Sequence, residues 1–134
     1  MSDSSGQMRR VRRFDTAPEL LVRKQLWRRG LRYYLHSKDL PGTPDIVFSK
    51  AKVAVFVHGC FWHRHQECKL ASTPKTNRDF WLLKFCQNVK RDVNNVTELR
   101  EAGWEVAVVW QCEAQNADLL RRRIVAIEQA VRQL

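Results

Sequence analysis

Two apolar runs constrain the fold more than anything else in this chain. Val53-Ala54-Val55-Phe56-Val57, entered from Lys52, and Val106-Ala107-Val108-Val109-Trp110 carry no polar residue. Successive side chains of a strand point to opposite faces, so a strand that does not alternate has to be covered on both sides. Both runs are far too short to span a membrane and are rich in β-branched residues, which makes them buried strands. Such a sheet needs helices on its faces, and the flanking patterns supply them.

A helix is expected to begin after Thr16, with Thr16 as cap, Glu19 reaching back and Pro18 in the first turn. Leu20, Leu21, Leu26 and Trp27 give it an apolar side, and Gly30 stops it. Leu31 to Leu35 reads as a strand, and Asp39-Leu40-Pro41-Gly42-Thr43-Pro44 as a turn. Asp45 to Phe48 reads as a short strand. It is paired as a hairpin, through Ser49-Lys50, with the run ending at Val57. After an irregular segment, a long helix is expected from about Asn77 to Ala102, ended by Gly103. Phe80, Leu83, Val89, Val96 and Leu99 are its apolar positions. A last helix runs from Ala117 to Gln133. The expected class is α/β, a mixed sheet with flanking helices. Its length suits one domain, residues 15–134, behind a flexible basic arm, residues 1–14.

Charge points to the partner. Twenty-four Lys and Arg against fourteen Asp and Glu leave a net +10, and a small basic protein without an amphipathic anchor meets nucleic acid before it meets a membrane. Arg9, Arg10, Arg12 and Arg13 suit an arm lying along phosphates. The polar start shows no apolar signal region, so the four cysteines read as free thiols or metal ligands in a reducing compartment.

The chemistry concentrates in Phe56-Val57-His58-Gly59-Cys60-Phe61-Trp62-His63-Arg64-His65-Gln66-Glu67-Cys68, which holds three of the four histidines and two of the four cysteines. Thiols and imidazoles at short spacing suit Zn²⁺. Cys60 and Cys68 flank a loop, and Cys112 just past the last strand can meet them; the fourth ligand is open between His63 and His65 on these grounds. Cys86, beside Phe85 and Val89, reads as a small buried hydrophobe. Asp45, opening a strand beside the one that ends at His58, suits a hard cation such as Mg²⁺, with the carbonyl of Val57 as a neutral oxygen donor. Phe61, Trp62 and Trp81 are aromatics placed to stack on or wedge between bases.

These residues carry a resemblance. Leu40-Pro41-Gly42-Thr43-Pro44-Asp45-Ile46-Val47, then Phe56 to His63, then Phe80-Trp81, Asn88 and Arg91-Asp92, then Gly103-Trp104 and Val109-Trp110-Gln111-Cys112 resemble the very short patch repair (Vsr) DNA mismatch endonucleases. The likeness runs in order from Asp15-Thr16-Ala17-Pro18-Glu19 to Cys112. It implies a restriction-endonuclease-like core with a structural zinc site, and a Mg²⁺-dependent nick of one strand beside the thymine of a T:G mismatch in double-stranded DNA. By position it implies Asp45 and the Val57 carbonyl for Mg²⁺, and His58 and His63 as active-site histidines, with His63 the general base. It implies Asp92 as the acid that orients His63, and Glu19 as an accessory residue. It also implies Cys60, His65, Cys68 and Cys112 for zinc, and Phe61, Trp62 and Trp81 as intercalating aromatics. A monomer in the bacterial cytoplasm, associated with the nucleoid and with mismatch-repair proteins as partners, completes the expectation. Gln66 and Glu67 lengthen the loop by one residue relative to some members, and Gln111 stands where a glutamate is common. Rival readings are a non-catalytic zinc-stabilised DNA-binding module and a zinc hydrolase of small molecules.

Overall fold

The computed structural model describes residues 15–133. The arginines at 9, 10, 12 and 13 lie outside the described residues. Helix α1 spans Ala17–Arg28, strand β1 Tyr34–Leu35, β2 Ile46–Phe48 and β3 Val53–His58. Helix α2 follows at Arg78–Glu101, then β4 at Glu105–Trp110, a four-residue helix α3 at Gln111–Ala114, and α4 at Ala117–Arg132. The sheet order is β1-β2-β3-β4. β1 to β3 pair antiparallel and β3 pairs parallel with β4, so the sheet is mixed as the sequence indicates.

The alternation along β3 sorts the core. Val53 and Val55 point to one face, where Val22 and Leu26 of α1 and Leu120, Ile124 and Ile127 of α4 cover them. Ala54 and Phe56 point to the other, against Leu99 and Val96 of α2. Each such aliphatic side chain withdrawn from water contributes roughly 1.5–3 kcal/mol before entropy is subtracted.

Several local expectations change. In α1 the buried positions are Glu19, Val22 and Leu26, which share a face at i, i+3 and i+7. Leu20, Leu21 and Trp27 fall off that face and are exposed. Thr16 accepts from the Glu19 N–H, but Glu19 accepts from the Asp15 N–H instead of closing the box on Thr16. The strand expected from Leu31 shrinks to two residues, because Leu31 turns into the core under the helix end and only Tyr34 and Leu35 meet β2. In α2, Phe85 and Leu99 are the buried pair, while Phe80, Leu83 and Val89 are exposed. Cys86, read as buried, is exposed. β4 is buried only at Val109, its other apolar residues being half-covered. Among the described residues no helix is long and apolar enough to cross a membrane.

Candidate functional site

The parallel register builds the site. His58 pairs with Trp110 at the ends of β3 and β4, so continuing both chains by two residues brings Cys60 against Cys112. The Cys112 N–H donates to Cys60 Sγ at 3.4 Å. The chain then turns tightly, with the His63 N–H donating to the Gly59 carbonyl and the His65 N–H to that of Cys60. Arg64 and Glu67 sit in the left-handed region at φ 53° and 55°, a conformation uncommon outside glycine that occurs at tight turns. His63 and His65, on either side of Arg64, belong to different clusters.

In one cluster the donor atoms of Cys60, His65, Cys68 and Cys112 all lie within 4.8 Å of one another. His65 Nδ1 is 3.7 Å from Cys60 Sγ and 3.4 Å from Cys112 Sγ. Its ring stacks on Trp110 with centroids 4.2 Å apart. Burial pushes the Cys60 thiol up to about 12 and also raises Cys112, whereas backbone N–H donors near Leu70 lower Cys68. Three thiols and an imidazole at this spacing match the ligand chemistry of a closed tetrahedral zinc site, and a cation there would turn the thiols into thiolates.

The other cluster lines a cleft of about 800 Å³. His63 Nδ1 is 2.6 Å from Asp92 Oδ2 on α2. In a neutral ring that bond selects the tautomer with Nδ1–H donating to the carboxylate, which leaves Nε2 as the acceptor. The His63 ring lies flat on His58, centroids 3.9 Å apart and planes within 3°. His58 is buried, and its Nδ1 has no hydrogen-bond partner among the described residues. Burial first, then the neighbouring His63, lowers its pKa to about 4, so the ring is neutral at pH 7.

Asp45 sits where β2 begins, in the same cleft. Its Oδ2 accepts from the Val57 N–H at 2.7 Å, which ties the carboxylate to the strand that ends at His58. Burial raises its pKa from 3.8 to about 7, with Glu19 adding like-charge repulsion, against the Val57 bond and the pull of His36 and His63. A carboxylate held beside a strand end without a matching cation suits a divalent metal, whose charge would reverse that burden. Glu19, almost fully buried, pairs with Arg23 and with His36 Nε2.

Phe61, Trp62 and Trp81 are half-buried and meet one another with Phe80 and Phe85 in a cluster of five rings. Asn88 Nδ2 donates to the Trp62 carbonyl at 3.1 Å, fixing one end of this loop to α2.

Comparison with known proteins decides between families of such sites. A family model described as DNA mismatch endonuclease Vsr matches residues 2–70. The Type II nicking enzyme V.NmeAIP of Neisseria meningitidis serogroup A is 46% identical over 92% of this chain and 87% of its own length. The Type II nicking enzyme V.XorIIP of Xanthomonas oryzae pv. oryzae is 47% identical over 87% of the chain and 85% of its own. The DNA mismatch endonuclease Vsr of Escherichia coli is 39% identical over 87% and 74%. The chain belongs to the Vsr family.

As a Vsr-family protein it is a DNA endonuclease, which sets aside the rival readings of a binding module and a small-molecule hydrolase. Asp45, His58, His63 and Asp92 line one cleft, and Val57 meets Asp45 there. Cys60, His65, Cys68 and Cys112 form a separate set that His63 does not join. Glu19 lies behind Asp45, among Asp15, Arg23 and His36. Sequence reasoning assigned no role to His36, Arg23, Trp110 or Arg64. His36 sits at φ 50° just before the turn, and its N–H donates to the Asp45 carbonyl. A histidine outside the dense His/Cys stretch was the available signal, but its partner lies seventeen residues back along the chain.

Proposed function

We propose that this Vsr-family endonuclease cuts one strand of double-stranded DNA beside the thymine of a T:G mismatch, with Mg²⁺ as cofactor and zinc as a structural ion. It would do so on a restriction-endonuclease-like core spanning residues 15–134, with the basic residues 9, 10, 12 and 13 along the phosphates. The observation that carries the reading is the His63–Asp92 pair stacked on His58, facing Asp45 across one cleft.

Asp45 and the Val57 carbonyl would hold the divalent cation, which supplies charge neutralisation at the scissile phosphate when bound. His63, held through Nδ1 by Asp92, takes at Nε2 a proton from the water that attacks phosphorus. Neutral His58, stacked beside it, donates a hydrogen bond to a phosphate oxygen. Glu19, through Arg23 and His36, keeps the Asp45 end of β2 in place. Cys60, His65, Cys68 and Cys112 would hold zinc and thereby fix the loop that carries His63.

Phe61, Trp62 and Trp81 would enter the base step next to the mismatch. Unstacking one step costs a few kcal/mol, and a wobble pair lowers that cost below that of a matched pair. A single-strand nick needs one copy of the chain, so a monomer suffices. A cytoplasmic, nucleoid-associated location beside mismatch-repair proteins follows from such a substrate. The test is incubation with Mg²⁺ and end-labelled duplexes carrying T:G in every flanking context. Selective nicking beside the thymine is expected, and the absence of cleavage in all contexts overturns the reading.

A further inference from the structure

Arg64 occupies a position that the reaction described so far does not use. Its side chain runs from between His63 and His65 toward the aromatic cluster. Its guanidinium lies 3.8 Å from the Phe85 ring centroid and 5.5 Å from that of Phe61. Nη1 donates to the Phe61 carbonyl at 3.1 Å and to the Ser72 carbonyl at 3.0 Å. Nη2 donates to the Ala71 carbonyl at 2.7 Å and to Thr73 Oγ1 at 3.1 Å. One side chain therefore ties three otherwise separate pieces together: the loop that carries Phe61 and Trp62, the irregular segment at 71–73, and the Phe85 face of α2.

We propose that Arg64 is a positioning residue that braces Phe61 and Trp62 so that they can be driven into a base step without folding back. Entering a stack means that the rings push against DNA, and the reaction force falls on the loop backbone. The Phe61 carbonyl is held by Arg64 and the Trp62 carbonyl by Asn88, so successive peptide units are pinned from two sides. A planar fork with five donors can satisfy four acceptors while its face stays on a ring, and a lysine ammonium cannot do both. Among the described residues the contacts of the Arg64 guanidinium are with the loop backbone, Thr73 and the Phe61 and Phe85 rings. Its effect would be on DNA distortion, upstream of the chemical step.

The inference rests on the reading of Phe61 and Trp62 as wedge residues, and the experiment separates the two. Wild type, Arg64→Met, Arg64→Lys and Trp62→Ala are compared on a T:G duplex with 2-aminopurine at the step beside the mismatch. They are also compared on a duplex already opened at that step by an abasic site. Zinc content and melting temperature are recorded for each protein. Under single-turnover conditions Arg64→Met should nick the intact duplex about 10- to 100-fold more slowly, as expected for a loss of orientation remote from the chemistry. Its 2-aminopurine rise should be weak, its zinc content normal, and its nicking rate restored toward wild type on the pre-opened duplex. Arg64→Lys should show a smaller loss of the same kind, and it carries the test if the methionine variant does not fold. Equal slowing on both duplexes, or a wild-type signal and rate in both Arg64 variants, overturns the role given to Arg64. If wild type itself gives no 2-aminopurine rise and Trp62→Ala nicks normally, the wedge reading falls and the bracing role falls with it.

Discussion

Replacing Asp45 by asparagine should make the Mg²⁺-free protein more stable while abolishing its nicking activity. The side chain keeps its shape, and its amide oxygen can still accept from the Val57 N–H that now bonds to Oδ2 at 2.7 Å. What disappears is a negative charge in a place that disfavours one. A carboxyl whose pKa rises from 3.8 to about 7 on folding loses about 1.36 kcal/mol per unit. The cost at pH 7.5 is therefore about 4 kcal/mol, an upper value because a buried charge draws water toward itself. The sign follows from proton uptake. Between pH 4 and 7 the folded chain holds a proton at Asp45 that the unfolded chain has released. This contribution is thus complete below pH 4 and is lost as the pH rises through 7. His58 runs the other way. Its pKa falls from 6.5 to about 4 on folding, so its contribution is complete above pH 6.5 and is lost as the pH falls through 4.

The two slopes oppose each other in the wild type between pH 4 and 6.5, and the asparagine variant exposes the His58 slope alone. Urea unfolding from pH 4 to 8 in Mg²⁺-free buffer, with zinc retained, measures both proteins. The stability difference should grow from near zero at pH 4 toward about 4 kcal/mol at pH 7.5, at constant m value. Mg²⁺ at a hundred times its dissociation constant should then stabilise the wild type by about 2.7 kcal/mol and leave the variant unchanged. An asparagine variant no more stable than wild type at pH 7.5, with an unaltered m value, refutes the argument that Asp45 is a charge awaiting a cation.

His63→Ala should slow nicking by about 10²- to 10⁴-fold, the usual worth of a general base, with zinc content unchanged by atomic absorption. Cys60→Ser should instead lose zinc, stability and nicking together. Gly42→Ala should cost about 1–3 kcal/mol in urea unfolding. Gly42 sits at φ 75°, and a methyl there would lie 2.8 to 3.0 Å from side-chain atoms of Asn95 on α2. Changing arginines 9, 10, 12 and 13 to alanine should flatten the slope of log affinity against log salt by up to about 3.6, as for four phosphate contacts. Fluorescence anisotropy across salt concentrations measures that slope.

The strands and the site were legible in the sequence for a shared reason. The continuous apolar runs at 53–57 and 106–110 mark strands, the first inside the sheet and the second its half-covered edge, and the dense His/Cys stretch has no packing rationale. The helices were less legible because their inward faces are not uniformly apolar. Glu19 is buried on α1 beside Val22 and Leu26, so counting apolar residues found Leu26 but also turned the exposed Leu20, Leu21 and Trp27 inward. On α2 the inward face carries Asn88, Asp92 and Asn95 into the cleft, leaving Leu82, Leu83, Val89 and Val93 exposed. Residues retained on the core side for chemistry break the periodicity that normally marks the core. The partners of His36 and Arg64 were hidden for a different reason. They are backbone carbonyls and side chains brought together only by tertiary turns.

The interleaving of two clusters in one stretch has a mechanical consequence. His63 needs Asp92 on α2, and His65 needs Cys60 and Cys112 at the strand ends. One residue, Arg64 with its left-handed backbone, separates them. Neither cluster can shift by a residue without dismantling the other, because the β3–β4 register at His58 and Trp110 fixes both ends. Trp110 joins them physically, stacking on His65 and meeting His58 edge-on at 5.3 Å. On this reading a zinc ion would do its work at a distance: by clamping Cys60 and Cys112 it would hold the register, and the register holds His58 and His63 against the phosphate. Trp110→Ala should accordingly weaken zinc retention and nicking together. Trp110→Phe, which preserves a ring under His65, should spare both. Competition with a chromophoric chelator measures the first, and single-turnover cleavage the second. Loss of nicking in the alanine variant with zinc fully retained would separate the clusters and refute the coupling.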